Sequence, residues 1–259
     1  MKKKIAIIGA GIGGLTLANL LQNNSNFEFV IYEKNETLNL DEGFGIQLAV
    51  NSISILNKIG FGSLNKSEFF NPAKLDLYSN QDKICDLDLT QFNTDIEKYT
   101  TLKRSILIKL LKDKLFSNLI SFGKVIDSVK QDQDILKIKF KDGSSEEVDY
   151  LVVSDGVFSQ TKSIIEKTSS ESNYYGAVAV RAQIKSKDVS EFKAENISLI
   201  MSAKAHLVSY PVNNNEDINL VCVLRKKLNE KKTIEQLLGE KLVNKNKNLL
   251  SFFKGNLKS

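Results

Sequence analysis

"KKKIAIIGAGIGGLTLANLL", residues 2–21, is the stretch whose reading decides the fold. Three lysines and an apolar run could open a cleaved secretion signal, which needs a small-residue cleavage site after its apolar core. The run ends instead in Leu20, Leu21, Gln22 and Asn23. Its glycines also suit a turn better than a signal helix. Gly9, Gly11 and Gly14 form G-x-G-x-x-G. Residues 5–8 before them read as a buried parallel strand. Leu15, Leu17, Ala18 and Leu21 after them read as one helix face.

That spacing has a physical reading. Gly9 permits a tight turn, Gly11 lets the backbone approach a pyrophosphate, and Gly14 lets the helix pack on the strand. Phosphates would sit on the helix N-terminus, where free N–H groups and the dipole favour negative charge. "FEFVIYEK" then gives a second strand over 27–32 that ends in Glu33, about 20 residues on, where ribose hydroxyls are bound. A carboxylate there accepts hydroxyl hydrogen bonds and repels a 2′-phosphate. FAD or NAD fits, and NADP does not. The expected nucleotide-binding set is Gly9, Gly11, Gly13, Gly14, Glu33 and Lys34.

The rest of the composition narrows the class. With 42% hydrophobic and 26% charged residues over 259 positions, the chain is ordinary globular protein with enough apolar content for a core. No stretch of about 18 consecutive apolar residues appears, so no membrane span is expected. The net charge is +5, but 33 of the 36 basic residues are lysine, Arg104, Arg181 and Arg225 being the exceptions. A nucleic-acid surface would concentrate charge and favour arginine. The short clusters at Lys2–Lys4, 225–227 and 231–232 read as solvated faces. Cys85 and Cys222 lie in alternating stretches, far apart and without metal spacing, and read as buried thiols. Nothing asks for an oxidising compartment, and a cytoplasmic setting is expected. No metal site is expected.

Further on, residues 41–61 read as a glycine-containing loop and then a helix with Ile53, Leu56 and Ile59 on one face. Residues 73–79 and 83–89 read as two short strands, and 100–115 as a helix after a short lead-in. Several strands follow to residue 156, with a turn at "KDG", 141–143. Long alternating strands are expected within 173–184 and 205–225.

Several of these segments resemble the FAD-dependent aromatic hydroxylases. These are the single-component flavin monooxygenases of the salicylate and hydroxybenzoate hydroxylase type, similar also to ubiquinone-biosynthesis hydroxylases. "DYLVVSDGVFS", 149–159, is similar to their Asp-Gly motif, with Asp155, Gly156 and Ser159 matching, Ser154 in place of alanine and Lys162 in place of arginine. "GFGIQLAVNS" resembles the family's Gly-x-Gly-Ile-x-Leu-x-Pro-Asn segment, with Val50 for proline. "LKRSILIKLL" resembles the segment that carries an Arg to the flavin pyrophosphate, here Arg104. "AHLVSYPV" resembles a His-x-x-x-Tyr-Pro segment, which gives His206, the only histidine, and Tyr210.

The resemblance implies an α/β fold: a Rossmann-like FAD-binding domain with an interleaved antiparallel substrate-domain sheet. The first would take 1–71 and 100–172, the second 72–99 and 173–228, with a helical segment over 229–259. It implies hydroxylation of a phenolic or other aromatic ring with FAD, with NADH or NADPH as transient co-substrate, and with O2. Gly45, Gln47, Arg104, Asp155 and Gly156 would join the FAD set. His206 would take the phenol proton and Tyr210 would orient the substrate hydroxyl. Partners would be the ring, NAD(P)H and O2, without nucleic acid or membrane; a homodimer stays open. The family's second motif, Gly-Asp, is not in the chain, so its closing part is expected to be missing and this chain to be weak or inactive alone. Another flavoprotein oxidoreductase on the same fold, or a non-catalytic nucleotide-binding fragment, are the alternatives.

Overall fold

The computed structural model describes residues 2–38, 40, 43–79, 82–168, 176–188, 195–203 and 205–225. The expected helix over 229–259 and the basic residues 226, 227, 231 and 232 lie outside them. In chain order the elements are β1 (Lys3–Ile8), α1 (Ile12–Leu21), β2 (Phe27–Tyr32), β3 (Gly45–Leu48), α2 (Val50–Asn57), β4 (Phe69–Phe70), β5 (Lys74–Ser79), β6 (Asp82–Asp88), β7 (Thr100–Lys103), α3 (Arg104–Asp113), β8 (Ile120–Ser121), β9 (Ile126–Asp132), β10 (Ile135–Phe140), β11 (Ser145–Val148), β12 (Tyr150–Val153), α4 (Gln160–Glu166), β13 (Ala177–Lys185), β14 (Ile197–Met201), β15 (Ala205–Val212) and β16 (Asp217–Arg225). The mixed α/β class is as expected.

Two units divide the chain. Unit 1 holds Met1–Glu42, Ile55–Phe61 and Ser105–Asn173; unit 2 holds Gly43–Ser54, Gly62–Arg104 and Tyr174–Ser259. The boundaries differ from the expected ones because "GFGIQL" is not a loop. Its residues 45–48 form β3, which pairs with β7. β4 pairs on the other side of β7. This small sheet takes residues 43–54 and 62–104 into unit 2.

Unit 1 is built on a parallel sheet in the order β12-β1-β2-β8 and an antiparallel sheet β11-β10-β9. Ala6, Ile8, Tyr32, Ile126, Ile138, Phe140 and Val148 form a shared core. The Tyr32 and Phe140 rings meet at 4.8 Å between centroids. The buried face of α1 is Gly14, Leu15, Ala18 and Asn19. Leu17 and Leu21 are only partly buried. Asn19 is tolerated because its amide donates to the Leu15 and Leu111 carbonyls, each at 2.8 Å. Lys3 and Lys4 pair with Asp149 at 2.5 Å and Glu146 at 2.7 Å, so this basic cluster is largely neutralised.

Unit 2 contains a six-stranded sheet, β13-β16-β15-β14-β5-β6. One face carries Val180, Ala182, Ile200, Leu207, Leu220 and Cys222. The other carries Tyr210, Val212, Ile197 and Leu89, with Val208 and Val221 beside them. Cys222 is buried as expected, and burial pushes its thiol up to about 11. Cys85 is a correction: it is exposed. β6 is the edge strand, and residues 82–87 are exposed on both faces, so alternation there does not mean burial.

Candidate functional site

In unit 1 the carboxyl ends of β12, β1 and β2 lie side by side. Register sets Ile8 against Val153 on one side and Tyr32 on the other. The next residues, Ser154, Gly9 and Glu33, therefore open three neighbouring loops at one sheet edge, where open α/β sheets bind ligands. The Gly9 N–H donates to the Tyr32 carbonyl and the Ser154 N–H to the Ile8 carbonyl, each at 2.8 Å. Gly9 sits at φ +98°, and a Cβ on it would come within 2.6 Å of the Ser154 carbonyl oxygen. A side chain on Gly14 would overlap the Gly9 carbonyl oxygen. These two glycines serve the packing of strand, turn and helix.

Gly11 and Gly13 are different. Nothing lies within 4 Å of where either Cβ would stand. α1 starts here with Gly11 as its N-cap, with no side-chain cap and no acidic residue in its first turn. An anion can approach the backbone of Gly11 and Gly13 closely and meet the N–H groups that a helix start leaves without intrahelical partners.

Glu33 is 8% exposed. Its Oε2 accepts the Ala10 N–H at 2.8 Å and its Oε1 the Asn35 N–H at 3.0 Å. The carboxylate is thus tied to the glycine turn, and each oxygen keeps a lone pair for a sugar hydroxyl. Lys34, beside it, is exposed. Asp155 Oδ2 accepts the Thr161 N–H at 3.2 Å at the start of α4. Its Oδ1 is buried with no hydrogen-bond partner. Asp155 and the exposed Gly156 line a recess of ≈ 350 Å³ with Ser159 and Lys162. An open glycine cradle, a buried carboxylate and an orphaned acceptor at one sheet edge fit a hydroxyl-rich dinucleotide.

Unit 2 holds the other expected residues. β15 puts His206 and Tyr210 on one face, as their spacing predicts. His206 is exposed, whereas Tyr210 is 3% exposed. The Tyr210 hydroxyl, expected to orient a substrate, donates to the Gly45 carbonyl at 2.6 Å. The Gly45 N–H donates to Asn219 Oδ1 at 2.7 Å. A Cβ on Gly45 would come within 2.7 Å of the Tyr210 ring and 2.8 Å of Asn219, so only glycine fits this clamp. Burial pushes the Tyr210 phenol up to about 12, while the Arg181 charge pulls the other way. Gln47 accepts the Tyr99 hydroxyl at 2.7 Å. Arg104 begins α3; its side chain is exposed and its N–H donates to the Phe44 carbonyl at 3.1 Å. Pro211 lies beyond the last β14 partner of β15, where its missing N–H costs no ladder bond on that side, and its carbonyl accepts the Thr101 hydroxyl.

Gly9, Gly11, Gly13, Gly14, Glu33, Lys34, Asp155 and Gly156 therefore belong to unit 1, and Gly45, Gln47, Arg104, His206 and Tyr210 to unit 2. Asn219, Tyr99, Phe44 and Arg181 were not foreseen. Only Arg181 carried a signal, as one of three arginines. No helix among the described residues is long and apolar enough to cross a membrane.

The 3-amino-4-hydroxybenzoate 2-monooxygenase PtmB3 of Streptomyces platensis is 26% identical over 217 residues, 82% of this chain and 54% of that protein. The 6-hydroxynicotinate 3-monooxygenase of Bordetella bronchiseptica is 28% identical over 168 residues, 62% of this chain and 43% of that one. The chain thus spans about half the length of these relatives. Among solved structures, Klebsiella pneumoniae HpxO complexed with FAD and uric acid shares the fold with a TM-score of 0.77 at 19% identity, over 98% of this chain and 62% of that one. A salicylate hydroxylase substrate complex matches with a TM-score of 0.71 at 16% identity, over 97% and 66%. The FAD binding domain model matches residues 2–251, which takes in the glycine turn, Glu33, the Asp155–Gly156 loop and the His206 strand together: the chain belongs to the FAD binding domain family.

Proposed function

We propose that the protein is an FAD-dependent monooxygenase that hydroxylates a phenolic or other aromatic ring with NAD(P)H and O2. The observation that carries the reading is the unit 1 cradle: Gly11 and Gly13 open to an anion, with Glu33 buried beside them and tied to the same turn. Relatives named for monooxygenation of hydroxylated rings support the choice of reaction.

Gly11, Gly13 and the α1 N-terminus would hold the pyrophosphate, Glu33 the ribose, and Asp155 a further hydroxyl through its unpaired oxygen. Arg104 would bring a guanidinium to the phosphates. Bound FAD would supply electron transfer from NAD(P)H to O2, chemistry that no side chain offers. In unit 2, exposed His206 would accept the ring hydroxyl's proton and raise the ring's electron density. Tyr210 would act through Gly45, holding β3 and Gln47 in place.

The test is oxygen-18 incorporation. The protein at its full natural length is supplied with FAD, NADH or NADPH and a panel of hydroxylated rings under labelled O2. One ring should gain one labelled oxygen, and His206→Asn should slow that step roughly 10²-fold, within the general-base range, without loss of FAD. Bound FAD with no labelled ring from any acceptor would overturn the proposal.

A further inference from the structure

We propose that Asn219 is a positioning residue for the ring-oxidising reaction: with Tyr210 it takes the place of a neighbouring strand for β3 and fixes β3 against the strand that carries His206. The inference rests on the ring-hydroxylating reading above and names a residue that governs how fully oxygen reduction ends in the ring.

β3 is an outer strand of its sheet, whose order is β3-β7-β4. Bonded and non-bonded pairs alternate along an antiparallel ladder. The Arg104 N–H donates to the Phe44 carbonyl, so the next pair, Gly45 and Lys103, is a non-bonded one. The Gly45 N–H and C=O therefore point away from β7, to the side where another strand would bond them. Side chains take them instead. Asn219 Oδ1 accepts the N–H at 2.7 Å, and the Tyr210 hydroxyl donates to the C=O at 2.6 Å. Tyr210 and Asn219 stand directly opposite each other on β15 and β16. One cross-strand pair thus offers a donor and an acceptor to a single residue, as a strand does.

Asn219 is fully buried, so an apolar side chain in its place would leave the Gly45 N–H without a partner. Its Nδ2 makes no hydrogen bond of good geometry but faces the Tyr210 phenol. Burial pushes that phenol up to about 12, and the Arg181 charge and the Asn219 amide pull against the push. The phenol stays protonated, and a donor to Gly45, at neutral pH.

β15 carries His206 four residues before Tyr210 on the same face, about 14 Å along the strand. β3 carries Gln47, and its partner β7 runs into Arg104, both in the expected FAD set. Thr101 and Lys103 tie β7 to Pro211 and Asp217. Among the described residues, β3 itself reaches the six-stranded sheet through the two bonds of the clamp. In the productive reaction one NAD(P)H, one proton and one O2 convert a ring C–H to C–OH and leave NAD(P)+ and water. With the ring out of place, the same electrons and protons reduce O2 to hydrogen peroxide. Loss of the clamp shifts the balance toward peroxide.

The experiment compares the protein at its full natural length with Asn219→Leu, Asn219→Ser, Asn219→Asp and Ile218→Ala. Leucine and serine both lose the bond to Gly45, so either one that folds serves the test; aspartate keeps the acceptor. Ile218 adjoins Asn219 on β16 but belongs to the core cluster on the other face, so its variant weakens the sheet without touching the clamp. Amide exchange is read at Gly45 relative to Leu207, and labelled oxygen in the ring is read per NAD(P)H consumed. In Asn219→Leu or Asn219→Ser, Gly45 should exchange about 10-fold faster, equivalent to about 1.4 kcal/mol for the lost buried hydrogen bond. Labelled ring per NAD(P)H should fall about 10-fold, with peroxide making up the difference, since misplacement by about an ångström costs up to about 100-fold. Asn219→Asp should recover part of both, and Ile218→Ala should change neither. Unchanged Gly45 exchange, wild-type coupling in the leucine or serine variant, or equal uncoupling in Ile218→Ala would each overturn the proposal. Oxygen transfer absent from the wild type fails the reaction and the coupling role with it; oxygen transfer that stays coupled without the clamp fails the Asn219 assignment alone.

Discussion

Gly11 and Gly14 belong to one motif but answer to different constraints, and a pair of substitutions separates them. Gly11 has φ −81° and ψ −173°, extended backbone open to any residue, and its Cβ position has no neighbour within 4 Å. Gly11→Val should therefore fold. As a change of N-cap residue it should cost at most about 1 kcal/mol, which lowers the melting temperature by about 2–4 °C in a protein of this size. The valine methyls would occupy the space a pyrophosphate needs. One charge-assisted hydrogen bond is worth about 1.5–3 kcal/mol, so FAD affinity should fall about 100-fold, equivalent to about 2.7 kcal/mol. Gly14→Ala is the converse. Its methyl would strike the Gly9 carbonyl oxygen, a backbone atom that cannot swing away. Overpacking of that kind costs about 1–3 kcal/mol or more, and stability should drop before any ligand is added. Thermal melts and FAD fluorescence titrations on both variants decide it. Wild-type FAD affinity in Gly11→Val, or a wild-type melt in Gly14→Ala, would refute the reasoning.

Tyr210→Phe removes the donor to the buried Gly45 carbonyl. It should cost about 1–3 kcal/mol of stability, measured by urea unfolding; an unchanged midpoint would mean the clamp carries no load. In acid, Asp142 is held below the usual carboxylate range by its hydrogen bond from Lys124, and Asp149 by its bond from Lys3. Asp217 is pushed up by burial but held down more strongly by Lys185 and Asn213. Folded values below the unfolded one mean stabilisation that is complete above about pH 4 and lost as pH falls through the folded values. Unfolding midpoints should hold from about pH 7 to 5 and then decline; a flat profile down to about pH 2 would contradict those pairings.

Much of unit 1 was legible because its decisive features are local. The turn at Gly9 to Gly14 and the acid at the end of β2 obey spacing rules that a linear chain displays. What escaped was non-local or short. β3 has four residues, Gly45–Leu48, too few for alternation to register. β7 precedes α3 without a break, so its four residues read only as a lead-in to the helix. β14 pairs in parallel with β5, whose residues lie some 120 positions earlier, a neighbour no periodicity announces. The resemblance of residues 102–111 to the family's arginine segment singles out Arg104, and arginine rarity agrees with it; Arg181 has its rarity alone. Tyr210 comes from its likeness to the His-x-x-x-Tyr-Pro segment; that Gly45 takes its hydroxyl depends on β3 reaching β15, which only the folded chain reveals.

The central claim is that unit 1 holds an adenine dinucleotide through Gly11, Gly13 and Glu33. Calorimetric titration of the protein with FAD, with ADP and with FMN tests it directly. FAD should bind one per chain, ADP should compete with it through the ribose and pyrophosphate contacts, and FMN, which lacks the adenosine half, should bind at least 100-fold more weakly. Absence of FAD binding, or FMN binding as tightly as FAD without competition from ADP, would contradict the account.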